Sequence, residues 1–310
     1  MKRLLRKAEK IYNHLFRTRR IFFFYLVLLI SVLFITGFEM KLLHTEILVK
    51  QIKQEGIDYD AFRDLRINEK VIRKIDKKVK HIVKQHPRLK GYAYIDNIAY
   101  LTFSMLAKDY NPVAHGVSDV DTFLRGIGDV AGTESFQELY RYYKAIFSDL
   151  MFFPVPSKNS KEEDIEYWDT WYDLRKYGGN RRHEGTDLMA IENVRGILPV
   201  VSMTDGIVEN MGWLEQGGYR IGIRSEAGGY FYYAHLDTYA PELKKGDKVI
   251  AGQLLGFMGD SGYGSEGTIG KFDVHLHLGI YVDSIMGEMS INPYYILKML
   301  EDNRSGYLYE

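Results

Sequence analysis

The sequence contains no cysteine. That excludes a disulfide framework, a cysteine-type structural zinc site, an iron–sulfur cluster and a thiol nucleophile. It also has no net charge, because 41 Lys and Arg balance 41 Asp and Glu. The balance conceals an asymmetry. Residues 1–20 carry eight basic side chains against Glu9 alone, and residues 21–38 carry no charge at all. With those removed, residues 39–310 hold 33 basic and 40 acidic residues, a net of −7, which disfavours nucleic acid as a partner. No second long apolar run follows residue 38. Compositional extremes are missing too. Apolar residues make up 46% and charged residues 26%, so the 310 residues are an ordinary globular mixture with room for about two folded units.

The uncharged run at 21–38 is 18 residues long. As a helix it spans about 27 Å, close to the ~30 Å hydrocarbon core of a bilayer. A cleaved signal peptide normally has an apolar region of ~7–15 residues that ends in a small-x-small site. This run is longer, and Ile35-Thr36-Gly37-Phe38-Glu39 supplies no such site. The expectation is an uncleaved, single-pass anchor in the cell membrane. The basic tail at 1–20 orients it with the N-terminus in the cytoplasm and residues 39–310 outside.

Residues 39–152 read as a helical extracytoplasmic region. Asn68 is positioned to cap a helix whose apolar face is Val71, Ile72, Ile75, Val79, Ile82 and Val83, with Pro87 after its end. The opposite face carries Arg73, Lys74, Lys77, Lys78, Lys80 and Lys84, a pattern that is usually just solvated. Further apolar helices are expected over 95–106, 120–130 and 136–150, with Ser135 and Glu138 as a capping box for the last. Glu134-Ser135-Phe136 resembles the Glu-Ser start of lytic transglycosylases, but the rest of that pattern is missing. An acid favoured by the helix dipole is the simpler explanation.

The texture changes near residue 153. Pro154, Pro156 and Ser157-Lys158-Asn159-Ser160 mark a linker over 153–164. Beyond it glycines multiply and alternating patterns predict strands at 219–224, 230–236, 254–258 and 274–281, an antiparallel sheet or sandwich. Asn292-Pro293 then opens a short closing helix before a tail at 301–310.

Five of the nine histidines are scattered without ligand spacing; His183, His235, His275 and His277 concentrate in the strand-rich part. In a strand, His275 and His277 project to one face while Leu276 and Leu278 pack on the other. His183-Glu184-Gly185-Thr186-Asp187 begins like the zincin string His-Glu-x-x-His. However, Asp187 replaces the second histidine, and the glycines oppose the helix that motif needs. His183 and Asp187 can still share a metal. His235, in Tyr233-Ala234-His235-Leu236, then becomes a candidate proton carrier. Catalytic zinc typically keeps three protein ligands, so five candidates leave two for proton transfer. The residues alone do not say which.

Taken together, His183-x-x-x-Asp187, Tyr233-Ala234-His235-Leu236 and His275-Leu276-His277 resemble the lysostaphin-type (LytM-type) zinc endopeptidases of bacterial peptidoglycan. Trp171-Tyr172-Asp173-Leu174-Arg175, Gly178-Gly179-Asn180-Arg181 and the glycine-marked stretch Lys245-Gly246-Asp247 to Gly252-Gln253 and Gly256 resemble that family's lead-in and hairpin. The likeness covers about residues 165–300. It implies a peptidase domain there, one Zn2+ per chain held by His183, Asp187 and His277, and catalytic histidines at His235 and His275. Two departures stand out: Val274 replaces the usual proline, and the stretch 259–273 is longer than the usual glycine turn.

The expected fold class is therefore α+β: an N-terminal transmembrane helix, a helical middle region and a C-terminal antiparallel β-sheet or sandwich peptidase domain. The expected function is membrane-anchored, zinc-dependent hydrolysis of peptidoglycan peptide bonds, with the membrane and the wall peptide as partners. Zinc would lower the pKa of its water toward ~7, and a histidine would carry the proton. The alternatives are an idle peptidase fold serving as a scaffold or binding component of an envelope complex, and a biotinyl- or lipoyl-carrier fold suggested by the 245–256 hairpin. The complete five-residue set opposes the first. Four clustered histidines oppose the second.

Overall fold

The computed structural model describes residues 2–156, 164–176 and 179–306. The linker signal at 157–160, Gly178 and the last four residues of the tail lie outside these, as do the side chains of 1–6 and 8–15. The chain forms two compact units, Met1–Gln54 and Glu55–Glu310.

The first unit is one helix, α1 (Lys2–Gln54). It continues on both sides of the apolar run, because no proline interrupts the segment and its backbone groups bond within the helix. Phe22 and Phe34 are 66% and 76% exposed. Thr36, the most polar side chain near the end of the run, donates its hydroxyl back to the Val32 carbonyl at 2.9 Å. That is how a polar group is satisfied without water.

The second unit opens with α2 (Tyr59–Asp64), α3 (Glu69–Gln85), α4 (Asn97–Leu106), α5 (Pro112–His115), α6 (Val120–Val130) and α7 (Glu134–Phe147). Asn68 caps α3 as expected, accepting from the Val71 amide at 3.0 Å. The cap of α7 is different from the expected one. Thr133 accepts from the Phe136 amide, which places Ser135 inside the first turn. Glu138 is turned to the Tyr59 hydroxyl instead, at 3.0 Å. The same helix stops at Phe147 because Leu150 leaves it to bridge with Thr204. Glu134 is exposed in the first turn, as a dipole-favoured acid should be. Phe62 of α2 is buried between Tyr142 and Tyr143 of α7, with ring centroids 5.4 and 5.2 Å away.

The strands are β1 (Ile165–Tyr167), β2 (Leu174–Arg175), β3 (Arg181–Arg182), β4 (Thr186–Ala190), β5 (Pro199–Val201), β6 (Gly206–Leu214), β7 (Gly218–Arg224), β8 (Tyr230–Tyr239), β9 (Lys248–Val249), β10 (Leu254–Met258), β11 (His275–Ser284) and β12 (Gly287–Ile291), followed by α8 (Tyr294–Leu300). Every pairing is antiparallel. The main sheet runs β1-β4-β11-β8-β7-β6-β9, with β12 on β11 and the β5–β10 pair on β8. β2 and β3 form a separate ribbon. The α+β expectation therefore holds. The expected hairpin at 245–256 does not form, because β9 pairs with β6 while β10 pairs with β5 and β8. At the closing helix, Asn292 accepts from the Tyr294 amide at 3.0 Å, and Pro293 sits at the cap rather than in the first turn.

Leu188, Leu276 and Leu278 are fully buried on one face of the sheet. Helix α7 lies against β11, and α2 against β12. Gly229 permits the close approach of α7: a Cβ there would stand 2.3 Å from the Ala145 carbonyl oxygen.

Candidate metal centre

Register places the first two groups. β4 and β11 pair with His277 opposite Asp187 and His275 opposite Met189. Directly opposed residues share a face, so Asp187 and His277 meet across the ladder, with His275 two residues along on the same side. His183 stands just beyond β3, and the turn at 184–185 brings its ring back over Asp187. Gly185 is required there. A Cβ would lie 2.5 Å from His277 Cε1 and 2.6 Å from the Leu278 carbonyl oxygen.

The resulting cluster is tight. His183 Nε2 is 3.0 Å from Asp187 Oδ1 and 3.1 Å from His277 Nδ1, and His277 Nδ1 is 3.0 Å from Asp187 Oδ1. Among the described residues these three form a group able to hold one metal ion. His275 Nε2 approaches Asp187 Oδ1 to 3.8 Å.

His235 arrives by a backbone irregularity. Ala234 pairs with His277 and so faces the cleft. Strict alternation would send His235 to the other side. Instead Ala234 and His235 together oppose Arg220, between the pairs Tyr233–Ile221 and Leu236–Tyr219. His235 takes the left-handed conformation, φ 61°. This is a β-bulge, a device that re-aims a side chain, and histidine is among the residues that tolerate it. The ring ends 4.7 Å from that of His275, centroid to centroid, and lies against Phe272 and Tyr263.

Two of the imidazoles have their Nδ1 proton assigned by a backbone carbonyl: His235 donates to Ser261 at 2.8 Å and His275 to Asp273 at 2.7 Å. Both therefore keep an Nε2 lone pair for the cleft. His183 Nδ1 lies between the Thr170 carbonyl oxygen at 3.0 Å and Arg175 Nη2 at 2.9 Å. Arg175 Nη2 donates to Asp187 Oδ2 at 2.7 Å, which leaves Oδ1 for the histidines. Burial opposes ionisation of Asp187, but hydrogen bonds from His183 and His277 outweigh it and hold the carboxyl well below its ordinary range. Burial, with His275 and His277 nearby, holds His235 well below its ordinary value of 6.5. A buried carboxylate kept ionised between two imidazoles is a donor set suited to a divalent metal such as zinc.

The site opens into a cleft of about 350 Å³ that includes Arg181, Arg182, Glu184, Tyr232, His277 and Tyr281 among its lining residues. Burial pushes the Tyr232 phenol up to about 12. The two departures from the lysostaphin pattern have local reasons. The Val274 amide donates to Asn193 Oδ1 at 2.7 Å, a bond proline would lack. The long 259–273 stretch supplies Tyr263 and Phe272, which pack on His235.

All five residues expected from the sequence line one smaller cavity of about 190 Å³, which shares Arg181, His235 and His277 with that cleft. Arg175 and Arg181 stand in the lead-in strings of the resemblance without a role, and sequence reasoning does not single out Thr170 or Arg182. Their strands are two residues long or absent, too short for any periodicity.

A crystal structure provisionally assigned as a glycyl-glycine endopeptidase lytM from Ruminococcus gnavus is 39% identical, with a TM-score of 0.66 over 85% of this chain and 99% of that one. The sequence profile of peptidase family M23 matches residues 181–293. The chain belongs to peptidase family M23. Its M23 relatives include the L-Ala–D-Glu endopeptidase of Bacillus subtilis, 43% identical over 166 residues, which are 54% of this chain and 48% of that protein. The glycyl-glycine endopeptidase ALE-1 of Staphylococcus capitis is 33% identical over 41% of this chain and 32% of its own length. The chain therefore spans less than half the length of either protein.

Proposed function

We propose that this M23 peptidase is a membrane-anchored, zinc-dependent endopeptidase that cuts a peptide bond in peptidoglycan. The observation that supports it most is the convergence of His183, Asp187 and His277 within 3.1 Å of one another, beside His235 and His275, in one cavity that all five line. In this reading His183, Asp187 and His277 hold one zinc ion. When bound, the ion supplies Lewis-acid polarisation of a peptide carbonyl and of water.

The protein's own groups do the rest. His235 and His275, with their Nδ1 protons occupied by carbonyls, present Nε2 to take a proton and return it to the leaving amine. The depressed pKa of His235 keeps it neutral, and so able to accept, near pH 7. Tyr232 stays a phenol and offers an O–H to the bound peptide. Arg181 and Arg182 line the cleft together with Glu184, Arg181 bonded to the Tyr263 hydroxyl and Arg182 to the Tyr172 carbonyl at 3.2 Å. Two guanidinium groups suit a substrate with a carboxylate next to the cut, as in an L-Ala–D-Glu bond. A glycyl-glycine bridge offers them no carboxylate. Helix α1, by length and apolarity, supports the anchor, with the peptidase domain at 165–300 outside the cell.

The test uses the full-length chain in detergent on purified peptidoglycan. Cleavage should expose new glutamate N-termini. His277→Ala should release zinc, whereas His235→Ala should retain it and lose turnover by at least about 100-fold. New glycine N-termini would overturn the bond assignment. Wild-type cleavage by His235→Ala would overturn its role.

A further inference from the structure

The helical region touches the peptidase sheet at a place that matters to His183. We infer that Arg63, on α2, is a positioning residue for the metal site: it clamps the 169–173 turn that sets the direction of the His183 ring. The inference rests on reading His183 as a metal ligand.

The 169–173 turn has no strand of its own to hold it. It is tied to His183 by a reciprocal pair of backbone bonds, Tyr172 amide to His183 carbonyl at 2.7 Å and His183 amide to Asp173 carbonyl at 2.9 Å. Its Thr170 carbonyl oxygen lies 3.0 Å from His183 Nδ1. The turn is also strained, with Tyr172 at φ 65°, a left-handed conformation that a bulky residue rarely adopts. Such a conformation persists only where its surroundings over-determine it.

Arg63 supplies much of that determination. Its guanidinium lies over the rings of both Trp171 and Tyr172, 5.3 and 4.8 Å from their centroids, and the two rings stack on each other at 4.9 Å. Its Nε donates to the Ser290 carbonyl at 3.0 Å, and its own carbonyl accepts from the Asn292 amide at 2.8 Å. The same two β12-end residues bond the turn directly: Ser290 Oγ accepts from Trp171 Nε1 at 3.0 Å, and Asn292 Nδ2 donates to Asp169 Oδ1 at 3.1 Å. The Arg63 side chain is only 15% exposed, so its cation–aromatic contacts are largely shielded from water. Phe62, its neighbour, fixes α2 between Tyr142 and Tyr143. A continuous path of contacts therefore runs from α7 through α2 to the turn and on to His183 Nδ1. Removing a partner that orients a ligating histidine typically weakens metal affinity about 10–100-fold.

The test measures Zn2+ affinity of the full-length chain in detergent by competition with a chelator, and the visible spectrum of the Co2+-substituted protein. Arg63→Met keeps the stem but removes the cation and the donor. It should bind Zn2+ about 10-fold or more weakly and shift the Co2+ bands, and Arg63→Lys should recover part of both. Tyr59→Phe, which breaks the bond from α2 to Glu138 but leaves the clamp, should lower the melting temperature without changing Zn2+ affinity or the Co2+ spectrum. Wild-type Zn2+ affinity in folded Arg63→Met overturns the inference. So does equal weakening in Tyr59→Phe, which would mean that α2 acts only as a prop. If Arg63→Met does not fold, Arg63→Lys decides: wild-type affinity and bands there overturn the inference, and weakened affinity with shifted bands supports it. Failure of the ligand reading shows separately, as full zinc occupancy in His183→Ala.

Discussion

Gly185 is the residue at which a single methyl group would close the site. Its missing Cβ is the space filled by the His277 ring and the Leu278 carbonyl. Gly185→Ala is predicted to destabilise the protein by about 1–3 kcal/mol through overpacking, and to weaken metal binding because the His277 ring must move. Thermal melts and zinc content check the two effects. An alanine variant with native melting temperature and full zinc would show that the ring adapts freely. His235 illustrates the opposite limit of sequence reading. Its chemistry is plain from its residue type and company. The bulge that turns it into the cleft is not, because a left-handed residue inside an aromatic strand leaves no mark in the hydrophobic pattern.

At the scale of elements, strong periodicity was legible and the ends of elements were less so. α3 and its Asn68 cap, and strand β10, fall where apolar spacing places them. The α7 cap was misplaced by two residues, because Thr133 and Ser135 are both competent acceptors and only the path of the chain selects one. Thr133→Ala is accordingly predicted to cost about 1 kcal/mol of stability, and Ser135→Ala less than about 0.5 kcal/mol. Denaturant titrations of the two variants compare them directly, and the reverse order would restore the Ser135 capping box. The 245–256 stretch failed as a hairpin for a related reason. Its turn chemistry is real, but each of its strands finds a better partner elsewhere in the sheet.

At the scale of the whole molecule, the expected topology is open to a direct check. In cells stripped of wall, external protease is predicted to digest the chain beyond α1, while a tag at the N-terminus stays protected. Protection of the peptidase region would place it in the cytoplasm, away from the wall. The linear chain already displays the uncharged run and its basic flank, the α+β division and the five candidate residues of the centre. These depend on residue type and short-range spacing, which a linear chain displays. Tertiary structure alone decided that Asp187 faces His277, that His235 reaches them through a bulge, and that Thr170, Arg175 and Arg63 support the cluster. Those relations depend on register between strands, on turns that join groups 12 or 13 residues apart, such as Arg175 with Asp187 and Thr170 with His183, and on contacts across 100 or more residues of chain, such as Arg63 with Trp171 and Ser290. Only the packed sheet and its helices bring such groups within hydrogen-bond or ring-stacking distance, so no local pattern records them.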